Sequence, residues 1–337
     1  MSDLSADLSG SFAPMTVAND LLKDPPALRR QLDEEGYLFF RGLLPADTIL
    51  GLRAEITAIL ARHGAILGGA SEAEAIAKAM PFREGEERYF AVYDEIIRLE
   101  RLYALSHHPA LTRMMESALG GSAFPHPLSI VRLIFPDNAE VTTPPHQDYP
   151  NNQGSERLTA TWIPLGDCPS KMGGLAVLRG SHKFGVMPVS AHLGAGNRQA
   201  RLPSEMAGLD WVSTDFRTGD VLVFGALTVH AARVNAHAER MRLSVDFRFQ
   251  PEGDPLTPLC LEPHFKRFSW EEIYGGWSGV APRYYWREKR FDLVDFDAAV
   301  HAIDETEFNK AYKQTNVYNR LRKKRFEKKL RARQEQA

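Results

Sequence analysis

Hydrophobic residues in the first third of the chain recur at the 3.6-residue period of amphipathic helices. Glycines, which often end helices, follow two of these stretches at Gly36 and Gly120. Between the first and second helices, the sequence YLFFRG at residues 37–42 predicts a short strand closed by glycine. The predicted helices cover residues 26–35, 45–63, 94–105 and 110–119.

From residue 129 the pattern changes to short runs of β-branched and aromatic residues separated by glycine turns. Regularly spaced short strands are typical of a sandwich or a barrel. The charged stretch 65–93 predicts an exposed connection before this region, and residues 183–215 predict a long insertion within it. The predicted strands cover residues 129–135, 158–164, 175–178, 221–224, 228–234 and 242–249.

Composition narrows the class of protein. The chain has 337 residues, 44% of them hydrophobic, which is enough for a large core. A net charge of -2 gives no field that would attract nucleic acid or an anionic membrane, so we expect neither as a partner. The two cysteines, Cys168 and Cys260, do not make a disulfide framework, and no secretory leader is recognisable. These features predict a cytoplasmic protein, and they leave its oligomeric state open.

The domain organisation follows from the same patterns. Residues 1–17 are expected to be a flexible leader, and residues 18–300 a single domain. Within that domain, the segment 268–285 is rich in Trp, Tyr and Gly, and it resembles a covering loop or lid. Residues 301–337 are expected to form a basic helical tail, either a solvated helix or a segment that binds nucleic acid or another partner.

His146 and Asp148 lie two residues apart in the sequence HQDYP, shortly after a predicted strand. On an extended backbone, residues i and i+2 point the same way, so both side chains can bind one ion. The plain alternative is a polar turn before Pro150. A second histidine from a distant strand would complete a two-histidine, one-carboxylate set with open positions, which suits non-haem iron and oxygen chemistry.

His230 is the candidate for that second histidine. It lies on an apolar predicted strand, and the connection from His146 is long enough to cross a barrel. A lone histidine on such a strand is more often a core residue, but the pair at 146 and 148 favours metal binding. His182, in a tight glycine turn, is expected to be structural.

Residues alternate strictly between polar and apolar along 242–249. Such a strand exposes its polar face either to water or to a polar cavity. Its position one hairpin after His230 puts Arg242 near the metal, where a guanidinium can bind a carboxylate through two hydrogen bonds. A dicarboxylate that chelates iron at one end needs such a clamp at the other. The polar face carries Arg242, Ser244, Asp246 and Arg248.

Together, these motifs resemble the phytanoyl-CoA dioxygenase family of Fe(II)/2-oxoglutarate oxygenases. The resemblance covers roughly residues 30–250 and implies a mainly β fold with added helices. That fold is a double-stranded β-helix, or cupin-like jelly roll, with N-terminal helices packed on one sheet. The matching motifs, in order, are EEGYLFFRGLLP, HQD, TATW, GGLAVLRGSH, GDVLVF, His230 and RLS.

The resemblance also implies roles for individual residues. O2 would oxidise an unactivated substrate C–H while 2-oxoglutarate is converted to succinate and CO2. Related halogenases lack the carboxylate of Asp148, so hydroxylation, desaturation or ring closure is expected rather than halogenation. The implied Fe(II) ligands are His146, Asp148 and His230. The implied 2-oxoglutarate residues are Arg242, Ser244, Trp162 and Gln147.

The substrate is expected to be a small metabolite or natural-product intermediate, because no basic cluster near the site would hold a nucleotide phosphate. Two other classes remain open: another metal-dependent enzyme on the same barrel, such as an isomerase or hydrolase, and a non-catalytic jelly roll that binds a ligand. The first would be indifferent to 2-oxoglutarate. The candidate substrate-pocket residues are Arg132, Tyr149, Tyr89, Tyr93 and Trp277, with Trp270 and Tyr274 in the lid. For each of them, ordinary packing or surface exposure is the alternative interpretation.

Overall fold

The computed structural model describes residues 12–79, 81–136, 139, 142–192, 198–303, 306 and 309. The α-helices in these ranges are α1 (Pro25–Glu35), α2 (Ala46–Arg62), α3 (Glu87–Ile96), α4 (Glu100–Ser106), α5 (Pro109–Leu119), α6 (Tyr149–Asn152) and α7 (Trp270–Tyr274). The strands are β1 (Ala13–Pro14), β2 (Tyr37–Phe40), β3 (Ala123–Ile134), β4 (Thr159–Pro164), β5 (Leu175–Leu178), β6 (Val189–Ala191), β7 (Arg198–Ala200), β8 (Trp211–Ser213), β9 (Val221–Gly225), β10 (His230–Ala232) and β11 (Arg242–Pro251).

These strands form two main sheets and a separate hairpin. The larger sheet has the order β2-β9-β4-β11-β3, and all of its neighbouring strands are antiparallel. The smaller sheet has the order β1-β8-β5-β10, and β6 pairs with β7 outside both sheets. The prediction of a mainly β fold with added helices is confirmed.

Alternate residues of the larger sheet enter two different cores, as the two-residue period of a strand requires. One face packs against the helices, and the strands β3 and β11 contact α5 on that side. The other face packs against the smaller sheet. In β2, for example, Leu38 belongs to the helical core and Phe39 to the core between the sheets. Trp162 and Phe224 lie between the sheets, opposite Leu175.

The helix predicted over residues 94–105 is wrong in its bounds. The chain forms α3 and α4 there, and α3 begins inside the stretch 65–93 that was predicted to be an exposed connection. The charged residues at 86–88 hid this helix, because charge indicates exposure in a sequence pattern. Glu87 instead occupies the first turn of α3, where a negative charge is favourable for the helix dipole.

Strand β3 starts six residues before its predicted beginning at residue 129. The extension contains Pro125 and Pro127, and proline within a run argues against a central strand. Because β3 lies at the edge of the larger sheet, the missing proline N–H groups do not interrupt a central ladder. The predicted insertion at 183–215 contains β6, β7 and β8.

The segment 268–285 packs on the helices and is not a lid over the space between the sheets. Trp270 and Trp277 donate their indole N–H groups to the carbonyls of Leu261 and Arg98, at 2.8 and 2.9 Å. The carboxylate of Glu100 accepts backbone N–H groups from the same segment. Both tryptophans belong to the helical core, on the far side of the larger sheet from the core between the sheets.

The ends of the chain are described only in part. Within the predicted leader, β1 pairs with β8, so residues 13–14 are part of a sheet and that part of the prediction is wrong. The basic stretch 320–333 lies outside the described residues. Within the described ranges, no helix has both the length and the apolar character needed to cross a membrane.

Candidate metal centre

A short antiparallel bridge joins the HQD segment to the first residue of β10. The N–H of His146 donates to the carbonyl of His230 at 2.9 Å, and the N–H of His230 donates back at 3.0 Å. The two imidazole rings therefore lie side by side, with their centroids 4.1 Å apart. Two histidines that are 84 residues apart in the sequence thus face the same space.

The hydrogen bonds of the two imidazoles leave one nitrogen of each ring free. Nδ1 of His146 lies 2.8 Å from the carbonyl oxygen of Pro144, and Nδ1 of His230 lies 3.0 Å from that of Thr228. A carbonyl only accepts, so each Nδ1 carries the proton and each Nε2 keeps a lone pair. Nε2 of His230 lies 3.9 Å from Oδ1 of Asp148.

The protonation states also suit a divalent cation. Burial lowers the pKa of His146 to about 3 and also lowers the pKa of His230, so both imidazoles are neutral near pH 7. Burial would raise the pKa of Asp148, but Arg248, His230 and His146 outweigh it and hold that pKa at about 2. One ligand atom from each of the three residues lies within 4.8 Å of the others. Two neutral nitrogens and one carboxylate match the ligand set of non-haem iron.

The three residues line a cavity between the two sheets. Its empty volume is about 400 Å³ when the open space at its mouth is counted. Its apolar lining consists of Ile134, Trp162, Leu175, Phe224 and Ala232. Its polar lining consists of Arg132, Thr143, His146, Asp148, His230, Arg242, Asp246 and Arg248.

Arg242 lies in this cavity with hydrogen-bonding capacity to spare. Its side chain is buried, and Nη1 donates to Oγ of Ser244 at 3.3 Å. Its Nε has no partner among the residues that the structure describes. The guanidinium carbon lies 5.8 Å from the ring centroid of Trp162. Arg242 and Trp162 thus line the same cavity as the three candidate metal ligands, and the unpaired N–H of Arg242 is free to donate to an anionic group.

Arg132 also lines the cavity, but its charge is already paired. Its Nε donates to Oδ2 of Asp246 at 2.9 Å, and its Nη1 lies 3.4 Å from Oε2 of Glu84. Burial would lower the pKa of Arg132, but the two carboxylates keep it above its ordinary value. Arg132 therefore remains a cation balanced by two acidic groups.

The structure corrects the role predicted for Gln147. Its amide nitrogen donates to the carbonyls of Gly185 and Leu227 at 2.8 and 2.6 Å, and its oxygen accepts the N–H of Met187 at 2.7 Å. Because neighbouring residues on an extended backbone point to opposite sides, Gln147 turns away from the cavity. It ties the HQD segment to adjacent loops and does not line the cavity.

Most of the candidate substrate residues also lie elsewhere. Tyr89 and Tyr93 are buried in the helical core, where the Tyr93 hydroxyl accepts the N–H of Val131 at 3.2 Å. Trp277 belongs to the same core, and Tyr149 begins α6 without lining the cavity. Of the five candidates, Arg132 is the one that the described cavity lining includes.

Sequence reasoning assigned no role in the site to Asp246 or Arg248. Both share the polar face of β11 with Arg242, and the alternation of that strand was the signal that could have identified them. The alternation along the strand predicts which side chains share a face, but it does not predict which residues of other segments they contact. Nε of Arg248 lies 2.9 Å from Oδ2 of Asp148, which comes from a segment about 100 residues earlier in the chain.

Two histidines and one aspartate that share a cavity between two sheets form the ligand set typical of non-haem iron oxygenases. Residues 32–242 match the family model described as phytanoyl-CoA dioxygenase (PhyH), which is more than half of the chain. The chain therefore belongs to the phytanoyl-CoA dioxygenase family, and it is a non-haem iron oxygenase of the 2-oxoglutarate-dependent kind.

Two curated enzymes and one solved structure are among the proteins similar to the chain. The 1-deoxypentalenic acid 11-beta-hydroxylase of Streptomyces exfoliatus is 28% identical over 255 residues, covering 71% of this chain and 87% of the relative. The enzyme of the same name from Streptomyces arenae is 27% identical over 267 residues, covering 74% and 92%. The epimerase SnoN, solved with Fe3+, alpha ketoglutarate and nogalamycin RO, has a TM-score of 0.52 at 20% identity, covering 77% of this chain and 95% of SnoN. This last similarity shows a shared fold.

Proposed function

We propose that this protein is an Fe(II)/2-oxoglutarate-dependent dioxygenase that hydroxylates an unactivated C–H of a small metabolite or natural-product intermediate. The observation that carries the proposal is the arrangement of two kinds of group in one cavity. His146, Asp148 and His230 present free donor atoms, and Arg242 presents an unpaired N–H. A metal-dependent isomerase or hydrolase needs no such arginine. The relatives named as hydroxylases support the same reaction.

We further infer that the two sheets form a double-stranded β-helix with the N-terminal helices on its outer face. The core between the sheets and the helical core on the far side of the larger sheet support this arrangement. The antiparallel pairing of β9, β4, β11 and β3 is consistent with it.

A bound iron would supply, with 2-oxoglutarate and O2, an oxidation in which a substrate C–H gains one oxygen atom of O2 and 2-oxoglutarate becomes succinate and CO2. His146, Asp148 and His230 would hold the iron. Arg242 binds the far carboxylate of 2-oxoglutarate, with Ser244 holding the guanidinium in place. The apolar walls exclude water from the reacting C–H.

The cavity supports a substrate with a hydrocarbon surface near the metal. Leu175, Phe224 and Ala232 line it beside the two histidines. The relatives are named for 1-deoxypentalenic acid, which supports a natural-product intermediate as the substrate class. The arginines of the cavity do not add support for a nucleotide, because Arg132 is paired with Asp246 and Glu84.

The experiment that tests this proposal measures 2-oxoglutarate binding by calorimetry, with and without Mn(II), and then screens small terpenoid acids for succinate release. We expect binding that depends on the metal, followed by succinate release with at least one compound. Metal binding without 2-oxoglutarate binding would favour another metal-dependent enzyme. Loss of both would leave a ligand-binding jelly roll.

A further inference from the structure

The two oxygens of Asp148 have different surroundings. Oδ1 lies 3.9 Å from Nε2 of His230, on the side of the metal ligands, whereas Oδ2 lies 2.9 Å from Nε of Arg248. Both Asp148 and Arg248 are buried, with relative exposures of 3% and 5%. We propose that Arg248 is a positioning residue that holds Oδ2, so that Asp148 offers only Oδ1 to the metal. This proposal rests on the proposed function, because it requires a metal at the site.

Asp148 is the acidic partner available to Arg248. The other two arginines of the cavity have partners of their own, Arg132 in Asp246 and Arg242 in Ser244. Nε and Nη1 of Arg248 have no hydrogen bond within the described part of the chain, so the 2.9 Å contact is an ion pair without good hydrogen-bond alignment. A buried guanidinium without a nearby anion is unfavourable, so Asp148 and Arg248 stabilise each other.

The position of Arg248 follows from strand register. Arg248 pairs with Ala160 of β4, which leaves its side chain on the face of β11 that looks into the cavity. The HQD segment is attached to the other sheet through the bridge to His230. The contact between Arg248 and Asp148 therefore crosses from one sheet to the other and involves Oδ2, not Oδ1, the oxygen that lies 3.9 Å from Nε2 of His230.

Two effects of Arg248 on metal binding oppose each other. Its positive charge repels a divalent cation, so removal of the charge would by itself strengthen metal binding. Its contact with Oδ2 orients a ligand, and loss of such an outer contact typically weakens metal binding about 10- to 100-fold. If Arg248 positions Asp148, orientation is the larger effect, and replacement of Arg248 by a neutral residue weakens metal binding; if repulsion is larger, the same replacement strengthens metal binding.

The test compares Arg248→Met with Arg248→Lys, using Co(II) as the probe. Methionine keeps much of the apolar stem without an N–H, whereas lysine keeps a cation that reaches Asp148. We expect the Kd for Co(II) to rise about 10- to 100-fold in Arg248→Met and to stay within about threefold of the original in Arg248→Lys. The visible Co(II) bands, which report ligand geometry, should change in Arg248→Met and be restored in Arg248→Lys.

The matched control is Arg53→Met. Arg53 donates to the carbonyls of Ala73 and Leu165 outside the cavity, so its loss removes a partly buried arginine without touching Asp148. Its Co(II) affinity and bands should equal those of the unmodified protein. If Arg248→Met does not fold, the neutral Arg248→Leu, which also has no N–H, takes its place with the same expected loss.

Binding of Co(II) by the neutral variant that is as tight as in the unmodified protein, or tighter, would overturn the positioning role. Equal losses in Arg248→Met and Arg248→Lys would also overturn it, since the arginine would then act through the packing of its stem. Failure of the unmodified protein to bind Co(II) would instead remove the proposed function, and this proposal with it.

Discussion

The peptide groups of His146 and His230 exchange two hydrogen bonds, of 2.9 and 3.0 Å, so the backbone itself sets the distance between the two imidazoles. Neither bond involves a side chain. The metal ligands can therefore be in place before an ion arrives, and one imidazole can be removed without breaking the bridge. Such preorganisation is what a site on rigid elements provides.

Replacement of His146 by alanine should abolish metal binding while the fold is retained. A ligand that binds only the folded protein stabilises it, by about 2.7 kcal/mol at 100 times its Kd. We expect Mn(II) to raise the Tm of the unmodified protein and to leave that of His146→Ala unchanged. The control is His182→Ala, because Nε2 of His182 contacts the carbonyl of Asp33 away from the metal ligands. A metal-dependent rise in Tm in His146→Ala would remove His146 from the site.

Replacement of Arg242 by alanine should weaken 2-oxoglutarate far more than it weakens the metal. A hydrogen bond to a charged group contributes about 1.5–3 kcal/mol, which corresponds to roughly 10- to 100-fold in Kd. Anaerobic titration of 2-oxoglutarate into the Mn(II)-loaded protein measures this loss, and a Mn(II) titration of the same variant is the control. An unchanged affinity for 2-oxoglutarate would show that the arginine does not bind it.

Replacement of Tyr93 by phenylalanine should destabilise the fold without affecting the site. The hydroxyl of Tyr93 accepts the N–H of Val131 and lies 2.7 Å from Nδ1 of His264, so its loss leaves buried polar groups unpaired. We expect the free energy of unfolding to fall by about 1–3 kcal/mol in urea titrations. Tyr89→Phe is the control, since the Tyr89 ring stacks on Tyr93 but its hydroxyl takes no part in these bonds. If Tyr93→Phe weakened 2-oxoglutarate binding by a larger free energy than the loss in the free energy of unfolding, Tyr93 would belong to the site.

The metal-free protein should lose stability as the pH falls below 6.5. Burial lowers the pKa of His264 from 6.5 to about 3, so the unfolded chain binds a proton that the folded chain does not. The stabilisation is complete above pH 6.5 and is lost as the pH falls towards 3, by about 1.4 kcal/mol per pH unit for one such histidine. Unfolding in urea at pH 7.5 and pH 5 measures it, and His264→Gln should reduce the difference by about 2 kcal/mol. An equal pH dependence in this variant would show that His264 is not responsible.

The sequence predicted the metal ligands because their signal is local or periodic. The i, i+2 spacing puts His146 and Asp148 on one face, and the alternation along β11 puts Arg242 on the cavity side. The same rule, applied one residue further, also predicts that Gln147 turns away. The resemblance to the family outweighed that rule in the sequence argument, and the three backbone contacts of Gln147 show that the rule was correct.

Other features depended on contacts between distant segments. The partnership of Arg248 with Asp148 crosses from one sheet to the other, and no spacing in the sequence reports it. The hydrogen bond from the Trp277 indole to the carbonyl of Arg98 is of the same kind. A segment rich in aromatic residues has the same sequence pattern whether it forms a lid or packs into a core. Helix α3 was missed because its first turn is charged, although its inner face carries Tyr89 and Tyr93.

The measurement that tests the central claim most directly needs no substrate. Fe(II) and then 2-oxoglutarate are added to the metal-free protein without oxygen, and the visible spectrum is recorded. If His146, Asp148 and His230 hold iron that 2-oxoglutarate chelates, a weak metal-to-ligand charge-transfer band appears, and His146→Ala does not show it. Iron binding without the band in the unmodified protein would contradict the account of a 2-oxoglutarate-dependent site.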